Sequence, residues 1–200
     1  VFFEQLFVNL LGTVNTIMAA RIGRDAVSAI GMVDSINLIV SSLFSALAIG
    51  ATVVVAQCIG LMGLPMCRRL LVAGYPLRVW NRSADKCLPL LQEGAGRVET
   101  PAELCADAEV VMLCLADTAA VREVVFGAGG LVESARPGQL LVDFSSLEPT
   151  ATREMAAQLQ STTGMAWLDA PVSGGEVGAI AGSLSIMAGG SEAAFRRALP

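Results

Sequence analysis

The segment Gly60-Leu-Met-Gly-Leu-Pro-Met66 decides how the chain from residue 60 onward is interpreted. Its two glycines, three residues apart, fit the second and third positions of the G-x-G-x-x-G turn that joins a strand to a helix. In that turn the second glycine lets the backbone approach a pyrophosphate, and the third lets helix and strand pack closely. Cys58 occupies the first position. A helix is predicted from Gly63 through Ala73, with its N-terminal amides facing an anion.

Short apolar runs then alternate with amphipathic stretches, which is the pattern of a parallel sheet covered by helices. Helices are indicated by Gly74 at a helix end, by the capping box Thr100-Pro-Ala-Glu103, and by Pro149 before residues 150–160. We therefore predict an α/β domain of the Rossmann type, with Val53 to Val55 as a possible first strand. The predicted later strands are Leu77 to Trp80, Glu109 to Leu115, Leu140 to Phe144, Ala166 to Asp169 and Leu184 to Ala188.

The residues after the second predicted strand indicate which dinucleotide the domain prefers. Asn81, Arg82 and Ser83 stand where an NAD enzyme usually places Asp or Glu to bind the ribose 2′-hydroxyl. A carboxylate would repel a 2′-phosphate, whereas Arg82 could form charged hydrogen bonds with it. NADP is therefore predicted rather than NAD. The alternative is that Arg82 is a solvated turn residue.

A second segment, Asp169-Ala-Pro-Val-Ser-Gly-Gly-Glu-Val-Gly-Ala-Ile-Ala-Gly-Ser-Leu-Ser-Ile-Met-Ala-Gly-Gly190, lies about a hundred residues downstream of the first. Together the two segments resemble the β-hydroxyacid dehydrogenases, which include 3-hydroxyisobutyrate dehydrogenase, tartronate semialdehyde reductase and glyoxylate/succinic semialdehyde reductase. The resemblance runs from about Gly60 to Pro200. It implies reversible hydride transfer between a nicotinamide and a small hydroxy acid or semialdehyde.

The resemblance also implies site residues beyond the glycine turn. Ser173, Gly174 and Gly175 match the substrate element, where two glycines and a hydroxyl can form an anion nest for a carboxylate, although a bare Ser-Gly-Gly is an ordinary turn. Ser146 matches the position near the nicotinamide ribose in that family, although Ser145 and Ser146 could equally be helix caps before Pro149. The full set of predicted cofactor-binding residues is Gly60, Leu61, Met62, Gly63, Asn81, Arg82, Ser83, Leu115, Ala116 and Ser146.

The acid/base group of the resembled family falls outside the match. The resemblance places the catalytic Lys beyond the equivalent of Pro200, together with a helical domain that closes the site and builds the dimer. Lys86 is the one lysine in the sequence, and its position after the cofactor loop does not fit that role. We therefore predict no catalytic residue, no family homo-oligomer and no turnover from these 200 residues.

Residues 1 to 59 have a different character, with five charged residues and an uncharged stretch from Ser35 to Ala56. Those 22 residues are long enough to cross a bilayer of about 30 Å, so residues 1–50 predict a membrane-like helical hairpin. A buried helical hairpin is the alternative. Residues 60–200 are predicted to form a cytoplasmic domain. Residues 1–57 are predicted to be able to associate with a membrane. The predicted domains are 1–50 and 51–200, with 51–59 as a shared junction.

The segments Thr13-Val-Asn-Thr-Ile-Met-Ala-Ala-Arg-Ile-Gly23 and Ala48-Ile-Gly-Ala-Thr-Val-Val-Val-Ala-Gln57 resemble the first two helices of the MATE multidrug transporters. Two helices cannot enclose a transport path, so the resemblance predicts a chimera and no transport by this chain alone. The abrupt join favours an assembly artefact over a biological fusion, and the sequence does not decide between them. A transporter fragment and a non-catalytic nucleotide-binding module are the alternative functions.

Composition narrows the possible partners. A net charge of −5 without a Lys/Arg cluster argues against nucleic acid, and the absence of His removes the commonest general base and metal ligand. A small carboxylate substrate is the predicted partner, and no metal is predicted. The five cysteines contain no C-x-x-C pair and are interpreted as reduced core thiols rather than metal or disulfide sites.

Overall fold

The structure is a computed structural model that describes residues 53–56, 62–106 and 108–198. In these residues one seven-stranded sheet has the strand order β3-β2-β1-β4-β5-β6-β9, and β7 and β8 form a separate antiparallel pair. Strands β1 to β6 run parallel, whereas β9 is antiparallel to β6. The strands are β1 (Val53–Ala56), β2 (Leu77–Trp80), β3 (Gly96–Arg97), β4 (Val110–Leu113), β5 (Leu140–Asp143), β6 (Ala166–Asp169), β7 (Val172–Ser173), β8 (Ser185–Ile186) and β9 (Gly189–Gly190).

Helices connect the parallel strands, as the crossover between parallel neighbours requires. Short 3₁₀ turns cover Ala84–Cys87 and Leu131–Glu133. The helices are α1 (Gly63–Val72), α2 (Leu88–Gln92), α3 (Pro101–Leu104), α4 (Thr118–Phe126), α5 (Pro149–Thr163), α6 (Gly175–Ala181) and α7 (Glu192–Ala198). The order β3-β2-β1-β4-β5-β6 is that of the Rossmann fold, so the predicted fold class of this part of the chain is confirmed.

The core lies on both faces of the sheet, because every residue of β4 and β5 is buried. On one face Met112 and Val142 pack in a cluster with Leu70 of α1. On the other face Val111 and Leu141 belong to a second cluster. Burial on both faces explains why these strands are continuous apolar runs rather than alternating ones. The free thiols of Cys67, Cys87 and Cys105 are part of this core, and burial raises the pKa of Cys67 to about 12.

The structure decides one open question and corrects one expectation. Val53–Ala56 is a strand that pairs with both β2 and β4, so these junction residues complete the sheet. The expected single strand from Leu184 to Ala188 is wrong. Ser185–Ile186 pairs with β7 and Gly189–Gly190 pairs with β6, because the chain changes partner at Met187, whose amide donates to the Pro171 carbonyl.

The predicted hairpin at residues 1–50 lies outside the described residues and stays a prediction. Within the part of the chain that is described, no helix has the length and apolar character needed to cross a membrane.

Candidate functional site

The carboxyl ends of the parallel strands are aligned at one edge of the sheet. The register pairs Ala56 with Trp80 on one side and with Leu113 on the other, and Asp143 with both Leu113 and Asp169. The chain leaves β1 toward β2 and β3 and returns to β4 on the opposite side, so the strand order reverses between β1 and β4. Ligands of open α/β sheets bind at this reversal point.

Helix α1 begins beside that point and has an N-terminus suited to an anion. Its N-cap residue, Met62, makes no side-chain cap hydrogen bond, and its first turn contains no acidic residue. By contrast α3, α4 and α5 are capped by Thr100, Asp117 and Glu148. Uncapped amides and the helix dipole favour a phosphate at α1. Gly63 is buried at the first position of α1, as the close-packing role of the third fingerprint glycine requires.

The loop after β2 presents the predicted cofactor-selecting residues. Asn81 is nearly buried, and its Oδ1 accepts a hydrogen bond from the Ser83 amide at 2.8 Å, which closes a tight turn. Arg82 stands between them and is exposed. Among the described residues its guanidinium has no hydrogen bond or ion pair within the protein. The turn therefore presents a cation to solvent at the ligand edge, one strand away from the reversal point.

Buried hydrogen bonds connect the ends of β4 and β5. The Leu115 amide donates to Ser145 Oγ at 2.8 Å, and the Ser145 amide donates to Asp143 Oδ1 at 2.9 Å. Ser145 and Asp143 are both buried. The Phe144 amide adds a bond to the Leu113 carbonyl at 2.8 Å. These contacts fix the two loops that follow the strands on the far side of the reversal point.

Asp143 is a carboxyl group in an apolar setting. Burial raises the pKa of Asp143 to about 6, hydrogen bonds from Ser145 act against that rise, and the Asp169 carboxylate on the next strand adds to it. Burial also raises the pKa of Asp169. Among the described residues, Asp143 Oδ2 has no hydrogen-bond partner. Sequence reasoning missed Asp143 and assigned Ser145 only as a possible cap, although Asp-x-Ser at a strand end is the signature of a local side-chain turn.

The alternative assignment of Ser145 and Ser146 as helix caps is wrong. The cap of α5 is Glu148, whose carboxylate accepts from the amides of Thr150 and Ala151 at 2.9 and 2.6 Å. The two carboxylate oxygens of Glu148 satisfy two unpaired amides, and their negative charge also interacts favourably with the helix dipole. Ser146 is exposed at the ligand edge, as are Ala116 and the neighbouring Asp117, which caps α4.

The predicted substrate element follows β6 and opens α6. Ser173, Gly174 and Gly175 are all exposed. Gly174 and Gly175 have φ values of +128° and +58°, which L-residues with a Cβ rarely adopt. At Gly174 an added Cβ would also lie 3.2 Å from Leu184 Cδ2. The glycine pair is therefore required by the backbone, and it directly follows Ser173, the last residue of β7.

The structure brings most of the predicted residues to one edge. Gly60 and Leu61 lie outside the described residues. Met62, Gly63, Asn81, Arg82, Ser83, Leu115, Ala116 and Ser146 all follow the carboxyl ends of β1, β2, β4 or β5. Lys86 is exposed in the 3₁₀ turn after β2. Among the described residues, no group of acidic or cysteine side chains is arranged to hold a metal ion.

Comparisons with known proteins assign most of the chain to a dinucleotide-binding family. Residues 57–200 match the family described as the NAD binding domain of 6-phosphogluconate dehydrogenase, and the chain belongs to that family. Residues 1–64 match the MatE family. The chain thus joins segments similar to two families, overlapping at residues 57–64, as the sequence predicted.

Individual relatives narrow the class. The chain is 42% identical over 144 residues to 2-hydroxy-3-oxopropionate reductase of Escherichia coli, covering 71% of this chain and 48% of that protein. It is 34% identical to Mycobacterium tuberculosis 3-hydroxyisobutyrate dehydrogenase in a structure with L-serine, at a TM-score of 0.68 over 74% of this chain and 50% of that one. A structure described as Psf3 with NADP+ and 2-OPP is 32% identical, at a TM-score of 0.68 over 72% and 51%.

These relatives place the chain among the β-hydroxyacid dehydrogenases, and the predicted resemblance is confirmed. The chain spans about half the length of the first two curated relatives it matches, at 49% and 48%.

Proposed function

We propose that this chain is the cofactor-binding part of an NADP-dependent hydroxyacid dehydrogenase or semialdehyde reductase. A nicotinamide bound here would supply or accept the hydride. The residues of this chain would hold the dinucleotide across the reversal point and orient a small carboxylate beside it. The single observation that carries the cofactor choice is the exposed Arg82, which has no partner within the described residues, next to Asn81 in place of a carboxylate.

The dinucleotide would extend along the carboxyl edge of the sheet. The uncapped N-terminus of α1 supports binding of the pyrophosphate, and Arg82 supports binding of a 2′-phosphate. Ser146 and Ala116 are exposed on the far side of the reversal point, where the nicotinamide ribose would lie. The Ser145 bridge would keep their two loops at a fixed separation.

The substrate class is proposed from Ser173, Gly174 and Gly175. Exposed amides and a hydroxyl at the start of α6 suit a carboxylate. The names of two relatives, 2-hydroxy-3-oxopropionate reductase and a 3-hydroxyisobutyrate dehydrogenase seen with L-serine, share a small ligand that bears a carboxylate. A 3-hydroxy acid, a semialdehyde or glyoxylate would fit this description.

Turnover needs a proton donor for the alkoxide that hydride transfer leaves, and we propose no residue of this chain for that role. General acid catalysis contributes roughly 10²–10⁴-fold to such reactions. We therefore expect no NADPH oxidation above a blank when the full chain is mixed with glyoxylate, succinic semialdehyde or tartronate semialdehyde. Turnover that survives Lys86→Ala would show that another proton donor exists among these residues.

The cofactor choice is tested by titration calorimetry of the full chain with NADPH and NADH. We expect tighter binding of NADPH, because a charged hydrogen bond to the 2′-phosphate contributes about 1.5–3 kcal/mol, which is about 10- to 160-fold in affinity. Arg82→Ala should remove that preference and leave NADH affinity unchanged.

Arg122→Ala is the matched control, because Arg122 is another exposed arginine, placed on α4, and it makes no hydrogen bond or ion pair within the described residues. It should retain the preference for NADPH. Equal affinities of the unsubstituted chain for the two dinucleotides would contradict the proposed cofactor, as would an equal loss in the Arg82 and Arg122 variants.

A further inference from the structure

Two helices of the domain begin at the two proposed binding elements. Helix α1 starts at Gly63, beside the proposed pyrophosphate site. Helix α6 starts at Gly175, directly after Ser173 and Gly174 of the proposed substrate element. The two helices pack against each other. Any contact that fixes the orientation of α6 on α1 therefore fixes the substrate element relative to the cofactor.

Arg69 of α1 makes such a contact at the far end of α6. Its Nε donates to the Ala179 and Ile180 carbonyls at 3.2 and 3.1 Å, and its Nη2 donates to the Ile180 carbonyl at 2.6 Å. The last carbonyls of a helix have no partner within the helix, and a cation there also interacts favourably with the helix dipole. Arg69 therefore binds the C-terminus of α6 with a planar group that fits two adjacent carbonyls.

The chain is shaped to admit this guanidinium. Gly182 ends α6 with a φ of +70°, and a Cβ added there would clash with the Arg69 guanidinium. Glycine suits the left-handed backbone at this position, and its lack of a Cβ leaves room for Arg69 in the orientation that it adopts. The three hydrogen bonds from Arg69 thus fall at the residues where α6 terminates.

Helix α6 itself buries little apolar side-chain area, although the strands on either side of it, β7 and β8, pair with each other. It has seven residues, its buried residues are Gly178 and Ala179, and its larger side chains Val177 and Ile180 are 81% and 60% exposed. Its N-cap, Gly174, provides no side-chain cap. Small buried side chains contribute little apolar area, so hydrogen bonds from a neighbouring helix carry a larger share of the positioning.

We propose that Arg69 is a positioning residue that holds the substrate element Ser173–Gly175 in register with the cofactor-binding helix. Arg69 lies at the opposite end of α6 from Ser173–Gly175 and acts through the short, rigid helix between them. Its role in ligand binding rests on the proposed function, whereas its role in fixing α6 does not.

The first test is backbone amide exchange of the full chain without ligand. Arg69→Ala should raise the exchange rates of residues 174–183 at least 10-fold and leave those of β4 and β5 unchanged. Arg69→Lys should give an intermediate rate, because lysine keeps the positive charge but lacks the planar guanidinium. Arg68→Ala is the matched control, since the neighbouring Arg68 pairs with Glu93 of the loop after α2, at 2.7 Å. Equal exchange in the Arg69 and Arg68 variants would overturn the proposal, as would a rise throughout the chain.

The second test uses tartronate as a carboxylate probe, titrated into the chain saturated with NADPH. Arg69→Ala should weaken tartronate binding at least 5-fold while NADPH affinity stays within twofold, and Arg69→Lys should restore part of the loss. A parallel loss of both affinities would mean a merely structural role and would overturn the proposal. If the unsubstituted chain binds no tartronate, the proposed substrate class fails, and amide exchange alone decides the role of Arg69.

Discussion

The loops after β4 and β5 differ from the Ser173–Gly175 element in how they are held. The first pair is joined by Ser145, which is 2% exposed and bonded to both Leu115 and Asp143. The second is exposed at all three residues, and it precedes a helix whose C-terminus is bound from another element by Arg69. The loops after β4 and β5 are therefore fixed by the sheet itself, whereas Ser173–Gly175 is held by the two-residue pairing of β7 with β8 and, through α6, by a remote contact.

The fixed arrangement of the loops after β4 and β5 includes an energetically unfavourable buried carboxyl group. The Ser145 bridge is completed by the buried Asp143 carboxyl group at the end of β5, and one of its oxygens has no partner within the part of the chain that the structure describes. Burial of a charge is unfavourable, and it raises the pKa of Asp143 to about 6 from an ordinary value of 3.8. The rigid loops should thus carry a pH-dependent penalty that the exposed element lacks.

The largest effect is expected from Asp143→Asn, which keeps one acceptor for the Ser145 amide and removes the charge. A raised native pKa means that the contribution of the carboxyl to stability is fully present below pH 3.8 and is lost as the pH rises through about 6. The free energy of unfolding of the variant relative to the unsubstituted chain should therefore increase between pH 4 and pH 7, by at most about 3 kcal/mol.

Urea unfolding followed by tryptophan fluorescence at several pH values measures this difference, because Trp167 is buried. Asp169→Asn is the comparison variant. The Asp169 carboxylate faces Asp143 and is less buried than the Asp143 carboxylate. The pH-dependent increase in the free energy of unfolding of Asp169→Asn should therefore have the same sign and a smaller size. A difference in stability that does not change with pH would contradict the assignment of the penalty to Asp143.

Much of the sheet could be predicted from sequence. The predicted bounds of β2 and β6 agree with the structure, since each is a short run with turn-forming residues beyond it. The predicted start of α1 at Gly63 is also confirmed. The change of strand partner between Ser185 and Gly190 could not be predicted, because apolar pattern reports burial and not which neighbour a strand pairs with.

Residues of the candidate site could be predicted from the sequence only where they belong to a recognisable motif. The places of Asn81 and Arg82 followed from the glycine turn and the strand after it. Arg69 could not be found in the same way, because its partners lie 110 and 111 residues away. The role of Ser145 was missed because a hydroxyl before a helix predicts a cap, and the Glu148 carboxylate takes that position instead.

A smaller effect should separate two adjacent serines, and it tests whether the rigid loops are held by one hydroxyl. Ser145→Ala leaves the partly buried Leu115 amide without its acceptor, which should lower the free energy of unfolding by about 1–2 kcal/mol. Ser146→Ala should change stability by less than about 0.5 kcal/mol, because Ser146 is exposed.

For NADPH, Ser146→Ala should weaken binding directly, whereas Ser145→Ala should weaken it through the displaced loops. Urea unfolding and calorimetry on both variants measure the two quantities. If Ser146→Ala destabilises the chain as much as Ser145→Ala does, the bridge between β4 and β5 is not what holds this edge, and the contrast with the Ser173–Gly175 element no longer stands.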